Sequence, residues 1–134
     1  MDIELLANLG LDLLEFDDRL PSMRFKLLYE VKYFGGEFRF NYSNLWVECG
    51  VWENWLEQLL ELQFDAPKKA VFHDMDKDFF ITITKESEGQ FVFEVDFALD
   101  EFEMPTTRIN STFKVSQDKL SKIISSCQSF PVVW

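Results

Sequence analysis

The sequence predicts an α+β fold: an antiparallel β-sheet with one helix between its strands and a second, C-terminal helix packed on it. Apolar and polar residues alternate over 23–33, 38–42, 79–84 and 91–97, which is the period of a strand with one buried face. Residues 51–64 and 117–128 instead carry their apolar residues at helical spacing. The turns at Gly35-Gly36 and Ser87–Gln90 are too short for a parallel crossover, so the strands they join form hairpins. A chain of 134 residues is enough for one ordinary domain, and it is read as one over 1–134.

The first twenty residues allow two readings. "DIELLA" and "LDLLEF" are two short strands meeting at Asn8–Gly10, or one poor helix interrupted by Gly10; strands are preferred. Met23, Phe25, Leu27, Tyr29, Val31 and Tyr33 occupy every second position of the next strand. "EFRFNY" alternates again after the glycine pair, and "LWVEC" reads as a further strand. The first helix starts after Gly50 and ends near Phe64, before Pro67. A sheet region resumes at "AVFHDM", continues through "DFFITITKE" and "FVFEVDFAL", and closes at "RINSTFKV". Ser116 then has the chemistry of an N-cap, with Gln117 and Asp118 in the first turn. Leu120, Ile123, Ile124 and Cys127 form the apolar stripe of the closing helix.

Composition narrows the function. Hydrophobic residues make up 47% of the chain and 15 residues are Phe, so a core can offset the entropy of ordering and a disordered chain is excluded. There is no apolar run of transmembrane length. The acidic start "MDIELLANLGLDLLEFDD" is unlike a signal peptide, so a cytoplasmic location is expected. Cys49 and Cys127 lie in apolar surroundings and read as buried free thiols. Trp46, Trp52 and Trp55 follow the apolar periodicity and read as core; Trp134 reads as a frayed end. The net charge is −11, from 24 acids and 13 bases, which disfavours nucleic acid and anionic membranes as partners.

That charge is unevenly spread. Glu53, Glu57 and Glu61 share one face of the first helix, each four residues from the next, and no base lies between Val51 and Ala66. Each such like-charge pair costs about 0.2–0.5 kcal/mol. Residues 89–104 carry Glu94, Asp96, Asp100, Glu101 and Glu103, again without a base. The last thirty residues are the reverse, with four bases against Asp118. The two base-free clusters are therefore the candidate partner-binding residues: Glu53, Glu57 and Glu61 on the helix, and Asp96, Asp100, Glu101 and Glu103 at the strand end. The bland alternative is a solvating coat, with Lys32, Lys68 or Lys69 folded over the helical stripe.

No catalytic set stands out, and no enzyme activity, cofactor or metal is expected. His73 is the only histidine, so any Ser-His or Cys-His mechanism would have to use it. "DMDKD" has calcium-loop character but lacks the glycine and closing glutamate of such a loop, and a solvated turn is the better reading. Paired carboxylates such as those of "ALDEFE" occur in any acidic protein. Gly35-Gly36 lacks the helix and lysine of a phosphate-binding loop.

Several segments together resemble a known family. They are "GGEFRF", "LWVECGVWENWLEQLLEL", "KAVFHDMDKDFFITIT", "GQFVFEVDF" and "STFKVSQDKLSKIISSCQSF". Over about residues 23–130 the chain is similar, by pattern more than identity, to the WapI-like group of small bacterial proteins. That group includes the immunity protein for a cell-wall-associated contact-dependent toxin; the N-terminus departs from its pattern. The resemblance implies an antiparallel sheet with two helices and a binding role, without catalytic residues. The expected function is cytoplasmic immunity: neutralising a cognate toxin C-terminal domain, a basic nuclease, by occlusion. An acidic surface suits that partner, because charge complementarity speeds encounter. The alternative is a small ligand-binding or enzymatic domain with a pocket between sheet and helices, near His73 or Tyr29.

Overall fold

The computed structural model describes residues 2–6, 8–64 and 68–130. Pro67 and Trp134, which figure in the sequence reading, lie outside them. The chain runs β1 (Ile3–Leu6), β2 (Leu9–Asp17), β3 (Ser22–Tyr33), β4 (Gly36–Glu48), α1 (Cys49–Phe64), β5 (Lys69–His73), β6 (Phe79–Ser87), β7 (Gln90–Leu99), β8 (Thr107–Ser116) and α2 (Gln117–Ser129). The α+β class and both helices agree with the sequence, and the N-terminal segment is two strands.

The strands divide into two sheets rather than the single sheet expected. One has the order β1-β2-β3-β4 and the other β5-β6-β7-β8, and every pairing is antiparallel. The chain therefore builds the same unit twice, four strands and then a helix. Each helix packs mainly on the first strand of the other unit, α1 on β5 and α2 on β1. Both contacts include an equivalent polar link. The Val71 N–H donates to Gln58 Oε1, and the Glu4 N–H donates to Ser126 Oγ, each at 2.8 Å. A strand at a sheet edge has N–H groups with no strand to receive them. Here a helix supplies the acceptor.

The β4 strand absorbs two stretches that read as separate strands. Tyr42 pairs with Leu27 and Leu45 with Phe25, so Ser43 and Asn44 together face Lys26. This bulge shifts the side-chain parity by one. The residues packed inward are therefore Phe40 and Tyr42 before it, and Leu45 and Val47 after it.

One apolar cluster runs through both sheets and both helices. At its centre the Trp52 ring lies 6.4 Å from Phe25, 6.2 Å from Phe72 and 5.4 Å from Phe130. Phe97 of β7 meets Phe40 and Tyr42 of β4 at 5.3 and 5.0 Å, which fixes one sheet against the other. The Tyr29 hydroxyl adds a 2.6 Å hydrogen bond with Ser111 Oγ across the same junction. Trp52 and Trp55 are fully buried, as expected. Trp46 is not core: it is partly exposed, its Nε1–H donates to Asn44 Oδ1, and the Arg24 guanidinium lies 6.0 Å from its ring centre. Cys49 and Cys127 are free and buried, and burial pushes the Cys127 thiol up to about 12.

Candidate functional site

The helical acids are where their spacing puts them. Trp52, Trp55, Leu59 and Leu62 turn inward, which leaves Glu53, Glu57 and Glu61 on the exposed face. Lys68, from beyond the helix end, brings its Nζ to 3.4 Å from Glu61 Oε2. The stripe is thus partly relieved within the chain. Glu53 lies one turn from Cys49 and, after burial itself, adds to the upward push on that thiol.

The strand-end acids are arranged differently from the expectation. Asp96 is not base-free in space. On the neighbouring strand, Arg108 donates to both of its carboxylate oxygens at 3.0 Å. Register explains this, since Ala98 faces Arg108 and Asp96 faces Asn110, so the Arg108–Asp96 contact is a diagonal cross-strand pair. The other three acids belong to the β7–β8 connection and are exposed. Asp100 Oδ1 accepts the Thr106 hydroxyl at 3.3 Å, and the Met104 N–H donates to the Glu101 carbonyl at 3.0 Å. Glu103 completes this turn in the left-handed region, at φ 64°. Few non-glycine residues sit there, and the strain is of order 1 kcal/mol. At the tip Phe102 is 92% exposed and Met104 61%. None of Asp100, Glu101 or Glu103 forms an ion pair among the described residues.

A second loop extends this patch, and sequence reading did not assign it. The Ala98 N–H donates to the Asp78 carbonyl at 2.9 Å, which ties the end of β7 to the turn between β5 and β6. That turn carries Asp74, Asp76 and Asp78, and one carboxylate oxygen from each lies within 4.8 Å of the other two. Asp74 is buried, and its Oδ1 accepts the N–H groups of Asp78 and Phe79 at 2.9 and 3.1 Å. The carboxylate thereby closes the turn, and Lys77 occupies the left-handed position at φ 59°. Burial still raises the Asp74 pKa above the usual carboxylate range. Tyr42, packed on Phe97, is influenced by acids of both loops. Burial raises its pKa, and Asp74, Glu101 and Asp76 raise it further. The patch thus joins exposed Asp76 and Asp78 to Asp100, Glu101 and Glu103, with Lys77 as a cation of the turn.

Phe102 contrasts with the other prominent aromatic tip. Tyr33 and Phe34 are also exposed at the β3–β4 hairpin, but the charges beside them are internally matched. Glu30 pairs with Lys32 and Arg39, and Arg39 also pairs with Glu37.

His73 lies in neither of two surface clefts. The first is about 640 Å³ and is lined by Tyr29, Glu30, Lys32, Arg39 and their neighbours. The second, about 510 Å³, lies among β1, β8 and α2. The His73 Nδ1–H donates to the Asp74 carbonyl at 2.8 Å, and its ring packs against Phe80 at 5.9 Å. Among the described residues no helix is long and apolar enough to cross a membrane. No family model, curated protein or solved structure matches the chain.

Proposed function

We propose that this chain is a binding protein that docks on a basic protein through its acidic tip. In its particular form it is a cytoplasmic immunity protein that neutralises a toxin domain, a basic nuclease, by occlusion. The observation that carries this reading is Phe102, fully out in solvent and flanked by Asp100, Glu101 and Glu103, none of them in an ion pair among the described residues. Interfaces place energy in a few desolvated aromatic anchors and use surrounding charge to set orientation and encounter rate. An exposed Phe flanked by carboxylates along the chain offers both, and it fits an apolar socket rimmed by Lys and Arg. The net charge of −11 adds a long-range attraction for a basic partner. The α1 stripe, with Lys68 already on Glu61, is the weaker docking face.

The experiment uses the protein domain encoded immediately upstream of this chain, with binding and inhibition measured together. Stable co-purification, and loss of that domain's activity on adding this chain, are expected. A domain that binds but keeps its full activity would refute occlusion. Absence of binding at low salt would refute the partner.

A further inference from the structure

The second cleft has a chemistry opposite to the rest of the molecule. Its floor is apolar, made by Leu5 of β1, Phe113 of β8 and Ile123 of α2, and its rim carries Lys114, Lys119 and Lys122. Two features of the fold assemble it. On α2, positions 119, 122 and 123 are three and four residues apart and share one face. The Glu4–Ser126 hydrogen bond then holds that face against β1, from the opposite end of the chain.

These lysines differ from most other bases of the protein. Arg24, Lys32, Arg39, Lys68, Lys85 and Arg108 each reach a carboxylate. Lys114, Lys119 and Lys122 form no ion pair among the described residues, although acids outnumber bases 24 to 13. Glu4 also lines the cleft, so its lining holds three lysines and one carboxylate. Asp118, beside Lys119 in sequence, does not line it.

We propose that this cleft binds small amphipathic anions, molecules with an apolar body and a carboxylate or phosphate head. The volume of about 510 Å³ is in the range of small-molecule sites, where apolar walls supply affinity and a few polar groups fix orientation. The apolar body covers Leu5, Phe113 and Ile123, and the head takes a place among the rim lysines. Because the surrounding field is negative, an anion gains there only if the contact with these lysines is local. The inference is independent of the acidic tip.

Titration of the whole chain, followed by calorimetry and by amide NMR shifts, tests this with four probes: octanoate, octyl phosphate, inorganic phosphate and octyltrimethylammonium. Octanoate or octyl phosphate should bind, shifting signals of Leu5, Phe113 and Ile123, and their ratio identifies the preferred head. Inorganic phosphate should bind at least about tenfold more weakly, and the cation should leave those signals unmoved. Lys119→Gln with Lys122→Gln should weaken the octyl anions at least about fivefold, whereas Lys26→Gln, outside the cleft, should not. Equal binding of the octyl cation would overturn the proposal, as would unchanged affinity in the double variant. Failure of both octyl anions to bind the native protein would also overturn it, and that result does not depend on any variant folding.

Discussion

Arg108 grips Asp96 through two parallel hydrogen bonds of 3.0 Å, from Nε to Oδ1 and from a terminal guanidinium nitrogen to Oδ2. This pair decides which strand-end acids remain for a partner. Asp96 is engaged, whereas Asp100, Glu101 and Glu103 are not in ion pairs among the described residues. Arg108→Ala should cost about 0.5–1 kcal/mol in urea unfolding, because the geometry is bidentate but the arginine is largely exposed. The same change should speed association with a basic partner, since it removes a cation next to the docking tip. A slower association would contradict the placement of that tip.

Gln58 and Ser126 perform equivalent tasks in the two halves, each accepting an edge-strand N–H from the other half. Removing either acceptor leaves a backbone donor short of its partner. Gln58→Ala should cost about 1–2 kcal/mol, because the Val71 site is part-buried. Ser126→Ala should cost less, about 0.5–1 kcal/mol, because water can reach the exposed Glu4 N–H. Denaturant midpoints of the two variants give the comparison.

Asp74 makes stability depend on pH in a direction unusual for an acid. Burial, the largest cause, raises its folded pKa above the unfolded value, against the opposing pull of the Phe79 and Asp78 N–H groups. The folded state therefore holds the proton more tightly. The contribution of Asp74 is fully present below its unfolded pKa and is lost as pH rises through the folded one. Asp74→Asn keeps an Oδ1 acceptor and carries no charge. Its melting temperature should exceed that of the native protein near neutral pH, and the gap should close as pH falls into the carboxylate range. A gap independent of pH would contradict this account.

Trp52 is fully buried, and its indole N–H has no hydrogen-bond partner among the described residues. Trp52→Phe loses ring volume but also removes an unsatisfied donor, a group that ordinarily costs about 1–3 kcal/mol when buried. The variant should lose less than about 2 kcal/mol, against about 3–5 kcal/mol for Trp52→Ala. Thermal unfolding of the pair measures the difference.

His73→Ala should leave partner binding and protection unchanged within about twofold. The His73 ring is committed to the Asp74 carbonyl and to Phe80, and it lines neither cleft. A folded variant that lost protection would favour an enzymatic reading.

Local patterns were legible and pairings were not. Period-two alternation gives the buried face of β3 or β7, but it does not say which strands are neighbours, so two sheets read as one. The bulge at Ser43–Asn44 inverted the parity of β4, and an inverted parity reads as a break between strands. The charge clusters were visible as runs of acids. Neutralisation of Asp96 was not visible, because Arg108 arrives from the next strand, twelve residues on. Asp76 and Asp78 read as a solvated turn because the Ala98–Asp78 hydrogen bond that brings them to the tip is long-range. The basic character of the last thirty residues was plain, but Leu5, from the opposite end of the chain, completes the cleft that uses it.

The docking claim rests on the acidic tip, and association kinetics with the upstream-encoded domain test it most directly. The variants are Asp100→Lys with Glu101→Lys and Glu103→Lys, Phe102→Ala, and for comparison Glu53→Lys with Glu57→Lys and Glu61→Lys. The tip reversal should slow association at least about tenfold at low salt and flatten its salt dependence, while Phe102→Ala should mainly speed dissociation. The helix reversal should have the smaller effect. If both tip variants associate, dissociate and protect like the native protein, the tip is solvating surface and the proposed docking mode is wrong.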